Sequence, residues 1–523
     1  MLKTDTYEIA KDAPSCATCS SQSCGTCAER PERPEPPFQQ SAIGNRQSPI
    51  SLPCSAPAAL PEEEPRSKQF TSTRNACKLC TPLGACLVYR GVEGCIPFLH
   101  GSQGCSTYIR RYLISHFREP MDIASSNFHE DSAIFGGSKN FSQGALNITR
   151  QYQPQLIGTA TTCLTETIGE DMPRLLHELR EKHGTAVAPM VHVSTPSYRG
   201  THIDGFHAAV KALVEQLGTA DAPAAGSDGV PQFATPRINL FPGMVSAADL
   251  RLLKEILAGF GLGYTLLPDY SESMDGETWS QYEKIQSGGT PLAAIAATGS
   301  ARASIEFGRA LAGSATAGTA LENKFHVPRH LLGMPIGIRE TDAFFNLLAT
   351  LSGREVPLKY QRERGRLVDS LIDGHKYIFE KRAIVYGDED LVVGLTSFLC
   401  ETGVTPVLCA TGARSRRFEA ALRAAAPALP AETLVKEGLD FAETAELAPD
   451  LKPDFLIGSS KGYKMARSLD VPLIRVGFPI HDRIGGQRVL HLGYRGAQEL
   501  YDHIVNALLE AKQDESTIAY SYL

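Results

Sequence analysis

The sequence predicts an α/β protein built from three doubly wound, mostly parallel Rossmann-like domains. Past residue 75, short apolar runs alternate with amphipathic stretches of helical spacing. The alternation spans enough chain for three such units, and residues with metal-binding chemistry fall just beyond strand-like runs. Open α/β sheets place their sites there, past the carboxyl ends of strands. Strands that alternate with helices pair in parallel, because each crossover helix returns the chain to the same end of the sheet. The expected divisions are a Cys- and Pro-rich extension over 1–70, then α/β domains over 71–236, 237–375 and 376–523, the last with a C-terminal tail.

The extension opens with Cys16, Cys19, Cys24 and Cys27, a CxxC-x4-CxxC cluster. Nine prolines follow between Pro31 and Pro65, amid Glu, Ser and Gln. Such a stretch buries no core and is expected to be extended or disordered. The paired CxxC spacing suits zinc or a small iron–sulfur cluster; the other reading is a tail whose thiols bind nothing.

In the first domain, PQLIGTA from Pro154 reads as a buried strand that stops just short of Cys163. APMVHV from Ala188 reads as a second strand leading to Ser197, with the helical DMPRLLHELR from Asp171 between them. The second domain opens with RINLFPG at Arg237, followed by a helix over 247–257 and the strand GYTLL from Gly263. The third opens with RAIVYG at Arg382, then a helix over 390–399 and the strand VTPVLCA from Val404. PDFLIG from Pro453 and VPLIRVG from Val471 add two further strands.

At 523 residues the chain exceeds what one hydrophobic core serves, and 42% apolar residues supply several. A net charge of −7 leaves no footprint for nucleic acid or an anionic membrane surface. No apolar run is long enough to span a bilayer, and the start MLKTDTYEIAKD is no secretory signal. Thirteen cysteines, an odd number, then point to a reducing cytoplasm and to metal chemistry in place of disulfides.

Several motifs fail on context. GFGLG over 259–263 follows a helix and precedes a strand, so it is a helix end and turn, not a dinucleotide loop. GSSKG from Gly458 lacks Walker spacing and no P-loop occurs elsewhere, so no nucleotide is expected on this chain. Cys400 and Cys409 read as structural thiols, and the fourteen histidines show no metal spacing.

Three other cysteines and a serine carry more. Cys80 starts CTPLGA, Cys105 ends HGSQGC, Cys163 ends TTC and Ser197 ends STPS. Gaps of 24 and 57 residues between the thiols rule out a local finger, so only a large fold can bring them together. Gly101 and Gly104 would let backbone amides approach a bulky ligand, and loop-borne thiolates among N–H donors suit an iron–sulfur cluster. Taken singly, each cysteine could be a buried apolar group and Ser197 a helix cap.

From about Asn75 to Tyr520 the chain resembles the β-type subunit of nitrogenase component 1, most densely over CTPLGACLVYRGVEGCIPFLHGSQGCSTYIRRYLISHFREPMDIASSNFHEDSAIFGG. TTCLTETIGEDM, VSTPSYRGTHIDGF, ERGRLVDSLIDGH and VPLIRVGFPIHDRIGG continue the match. The resemblance implies the component 1 fold, three domains around a central cleft. It implies an oxidoreductase subunit active only with its partners, with no catalytic residue of its own. Cys80, Cys105 and Cys163 match ligands of a P-cluster-like 8Fe-7S centre shared with an α-type subunit; Ser197 matches a serine that ligates oxidised iron. Cys77, Cys86 and Cys95 match no ligand position. The implied assembly is an α2β2 heterotetramer served by an ATP-dependent iron protein, which delivers electrons for a cofactor in the α-type chain. Phe135 matches a docking-surface phenylalanine, its other reading being plain core. Glu119 matches an acid that helps bind a cation between β chains, but Arg339 stands where a partner acid is expected. Three readings stay open: a dinitrogen reductase subunit used in nitrogen fixation, a methylthio-alkane reductase subunit cleaving C–S bonds, and an N-type assembly scaffold with a 4Fe-4S cluster.

Overall fold

The computed structural model describes residues 76–220 and 237–517, so the cluster Cys16, Cys19, Cys24 and Cys27 lies outside the described residues. Three parallel sheets follow one another along the chain. The first holds β1 (Cys95–His100), β2 (Ala124–Ser125), β3 (Leu156–Thr161) and β4 (Met190–Val193), in the order β2-β1-β3-β4. The second holds β5 (Arg237–Phe241), β6 (Gly263–Leu266), β7 (Ala303–Phe307) and β8 (Arg329–Leu332), ordered β6-β5-β7-β8. The third holds β9 (Arg382–Gly387), β10 (Thr405–Thr411), β11 (Leu434–Glu437), β12 (Phe455–Gly458) and β13 (Leu473–Arg475), ordered β11-β10-β9-β12-β13. Every pairing is parallel.

Each order reverses direction once: between β1 and β3, between β5 and β7, and between β9 and β12. At such a reversal the two neighbouring strands send their following loops to opposite sides, which opens a crevice beyond their carboxyl ends. β1 and β3 run level, from Cys95 beside Leu156 to His100 beside Thr161, so their loops start from one height. Both strands are buried along their whole length, the pattern of a sheet covered on two faces. The expected alternation of strand and helix holds in all three units. The helix Ala247–Gly259 ends at the GFGLG run, where Gly261 takes a φ of +65°, and β6 begins at Gly263. Cys409 is buried in β10 and Cys400 lies near the end of the helix Glu389–Glu401. No helix among the described residues is long and apolar enough to cross a membrane.

The helix Thr81–Arg90 is buried at every position and lies against the helix His202–Leu217. Their crossing is made by two glycines. A Cβ on Gly84 would lie 1.8 Å from the His202 carbonyl oxygen, and one on Gly205 would lie 1.9 Å from that of Thr81. The ring of Tyr89 on the first helix lies against Gly158 of β3, and its hydroxyl donates to the Thr159 carbonyl at 3.1 Å. One continuous apolar cluster then runs through all three sheets, from Leu83 and Leu99 through Leu240 and Ile305 to Val385 and Ile457.

Gly84→Ala should therefore force the two helices apart. Overpacking of this kind costs about 1–3 kcal/mol, seen as a lower denaturant midpoint; an unchanged midpoint would show that the crossing tolerates a side chain.

Candidate functional site

All three matched thiols lie where a helix begins. Cys80 is the N-cap of the helix Thr81–Arg90. Cys105 is in the first turn of the helix Gln103–Phe117, whose cap Ser102 accepts the N–H of Gly104 at 3.3 Å. Cys163 opens the helix Cys163–Thr167 directly beyond β3, after the cap Thr162. The last two flank the reversal between β1 and β3. Helix starts present unpaired N–H groups, which favour a thiolate over a thiol.

Ser197 joins two of these starts. Its Oγ accepts the N–H of Thr81 at 3.2 Å, and its own N–H donates to the Cys163 Sγ at 3.3 Å. The capping alternative thus holds for a helix 116 residues away in sequence. The helix that follows Ser197 is capped by Thr201, paired with Asp204.

Cys80 is exposed, while Cys105 and Cys163 are half-buried. The Cys105 thiol is held above its ordinary range first by burial, then by Cys80 and Cys163, so the three share one electrostatic neighbourhood. Among the described residues, no trio of His, Cys, Asp or Glu is placed to hold a single metal ion. Thiols brought from three distant segments into one neighbourhood suit a polynuclear centre, in which separate irons take separate thiolates. The N–H on Cys163 is the kind of donor such a centre uses. The donor set fits an iron–sulfur cluster.

Two glycines differ from expectation. Gly101 is bare because of Thr162: a Cβ there would lie 2.1 Å from the threonine Oγ1. Gly104 is inside a helix, with only the Ser102 Oγ near its missing Cβ, at 3.6 Å. Cys77 and Cys95 are pushed up to about 12, chiefly by burial, and Cys86 rises for the same reason. Burial thus disfavours the thiolate form of all three.

His100 is the residue that motif reading passed over. Its Nδ1 lies 3.0 Å from the Ser126 Oγ, and its carbonyl accepts from Thr162 N–H at 3.1 Å and Thr165 Oγ1 at 3.0 Å. Its Nε2 faces Glu170 at 3.9 Å, and Glu170 accepts the N–H of Gly137. Burial holds the ring down at about 4, so it is neutral near pH 7. His100 therefore ties down the start of the Cys163 segment through its carbonyl and packs the turn after Phe135 through its ring. HGSQGC contains it, but only the fold gives it these partners.

Phe135 ends the short helix Glu130–Phe135 and is 85% exposed, beside Ile134 at 73%, so the core alternative fails. Glu119 accepts from Gln286 Nε2 at 3.4 Å. The acids of the later segment are engaged within the chain: Glu340 with Arg309, and Asp342 with Arg364. The Arg339 guanidinium donates to the Ala425 carbonyl at 2.9 Å.

A cleft of about 820 Å³ lies beyond the strand ends, lined from all three units by residues such as Glu166, Asp204, Thr316, Asp388, Glu389 and Arg417. Burial raises Glu389 to about 7 and Asp390 to about 6. Glu389 binds its proton more tightly folded than unfolded. Its contribution to stability is thus full below its ordinary 4.5 and is lost as pH rises through about 7. Glu389→Gln should flatten the fall in melting temperature across that window; an unaltered slope would contradict the shift.

The family model described as nitrogenase component 1 type oxidoreductase matches residues 80–509. The nitrogenase molybdenum-iron protein β chain of Clostridium pasteurianum is 34% identical over 446 residues, covering 85% of this chain and 94% of that one. The equivalent chain of Frankia alni is 37% identical over 456 residues, covering 86% and 85%. That of Azotobacter vinelandii is 34% identical over 459 residues, covering 85% and 86%. A solved structure of nitrogenase Cp1 at pH 6.5 superposes with a TM-score of 0.82 at 32% identity, covering 88% of this chain and 99% of its own.

Proposed function

The chain belongs to the nitrogenase component 1 type oxidoreductases as a β-type subunit, and from that premise we propose that it holds half of a P-cluster-like 8Fe-7S centre. In this reading the subunit carries electrons from an ATP-dependent iron protein towards a cofactor in an α-type partner, within an α2β2 assembly. The observation that carries it is the meeting of Cys80, Cys105 and Cys163, from three distant segments, in one neighbourhood left partly open to solvent. An open thiol face suits a centre completed by ligands from a second chain.

Such a cluster supplies one-electron chemistry when bound. The protein's part is to hold the irons and set their surroundings. Cys80, Cys105 and Cys163 give the soft thiolate ligands. Ser197 offers a hard oxygen beside Cys163, suited to more oxidised iron, while its N–H already serves that sulfur. Phe135 and Ile134 give an apolar contact for the iron protein. Substrate is met on the partner chain. Dinitrogen accords with the names of the relatives; a methylthio-alkane is the other reductase reading. The third cysteine beside Ser197 favours either reductase over the four-iron scaffold, which needs fewer ligands.

The test is EPR with iron quantification on the chain, purified without oxygen alongside its natural partner. A centre silent when reduced and paramagnetic when oxidised is expected, and a four-iron signal that fades on oxidation would make the chain a scaffold. Cys163→Ala should lose most of the cluster iron, whereas normal iron content would remove that ligand. Phe135→Ala should keep full iron but weaken binding of the iron protein several-fold; unchanged affinity in a pull-down titration would end its docking role.

A further inference from the structure

The third sheet reverses between β9 and β12, and the turns leaving its strands close on residues 76–80, the segment that delivers Cys80. After β12, the Lys461 ammonium donates to the Ala76 carbonyl at 3.0 Å. After β11, Asp440 forms an isolated antiparallel bridge with Ala76. After β10, Gly412 lies so close that a Cβ would meet the Cys77 carbonyl oxygen at 2.4 Å. After β9, Asp388 stands 3.3 Å from Nε2 of His202, whose Nδ1 accepts the N–H of Leu79 at 3.4 Å.

Lys461 stands out among these because it reaches two ligand-bearing segments. Its Nζ lies 5.8 Å from the ring centroid of Tyr112, which stands two turns beyond Cys105 on the same helix. Among the described residues no carboxylate forms an ion pair with it. The groups near enough to act on its charge are the thiols of Cys77 and Cys80 and the imidazole of His481. An ammonium half-buried without a carboxylate is costly unless a nearby negative group compensates it. Ligated thiolate sulfur and the charge of a cluster would do so.

We propose that Lys461 is a positioning residue and fixed countercharge for the cluster edge held by Cys80, biasing that edge towards its reduced state. The inference rests on the reading of Cys80 as a cluster ligand. A positive charge in a partly desolvated site stabilises the more negative oxidation level, so its removal makes the centre easier to oxidise. Its bond to Ala76 also holds the approach to Cys80. The GSSKG run, which lacks P-loop spacing, thereby acquires a role.

The experiment is a redox titration followed by EPR on the anaerobic complex, with iron content and the rate of iron loss to a ferrous chelator. K461M should retain its iron, oxidise at a lower potential than the parent and lose iron several-fold faster, while K461R should match the parent in both. If K461M does not assemble, K461Q keeps a donor for Ala76 without the charge and should still oxidise at a lower potential. A parent complex with a cluster, and K461M or K461Q with unshifted potential, would overturn the countercharge alone. A parent complex without any iron–sulfur signal would overturn the cluster reading, and this inference with it.

Discussion

Everything at the thiol site depends on two helices crossing at backbone distance. Gly84 and Gly205 each meet a carbonyl of the other helix, and no side chain fits between them. Glycine within a helix costs about 0.5–1 kcal/mol relative to alanine, so the pair is kept for the approach that it permits. That approach brings the start of the helix Thr81–Arg90 next to the segment before the helix His202–Leu217. The Ser197 hydroxyl can then accept from Thr81 while its amide serves Cys163. Cys80, Ser197 and Cys163 are spaced by this crossing more than by the loops that hold them.

The same topological rule operates three times, with different results. In the first sheet the reversal between β1 and β3 is flanked by thiols. In the third, the turns after β9 and β12 contribute Asp388 and Lys461 and reach across to the Cys80 segment. The cleft of about 820 Å³ collects strand ends from all three units. A site on one sheet is thus braced by the turns of another, which a single Rossmann-like unit could not arrange.

Much of the fold was legible because local pattern and fold agree. Buried runs such as LIGTAT have no exposed face to satisfy and become central strands, so a cysteine just past one of them sits at a sheet's carboxyl edge. The three thiols were singled out through resemblance, since spacing alone says only that a large fold must unite them. What stayed hidden were contacts between distant segments. The hydroxyl of Ser197 caps a helix that begins 116 residues earlier. Gly101 is bare for the sake of Thr162, and His100 acquires its partners from four separate loops. Phe135 lies in an apolar-looking run, AIFGG, that is as consistent with core as with surface; only its 85% exposure decides.

The apolar cluster that runs unbroken from Leu83 to Ile457 has a thermodynamic meaning of its own. Local opening is cheap where a segment borders few buried neighbours and dear where it shares them with the whole molecule. The helix behind Cys80 belongs to the second kind. Its thiol cannot drift from the others by fraying of one loop, because such movement must also disturb packing between sheets. The spacing of the three thiols is therefore a cooperative property of the folded chain, and a site open to solvent is tied to the packing of an interior.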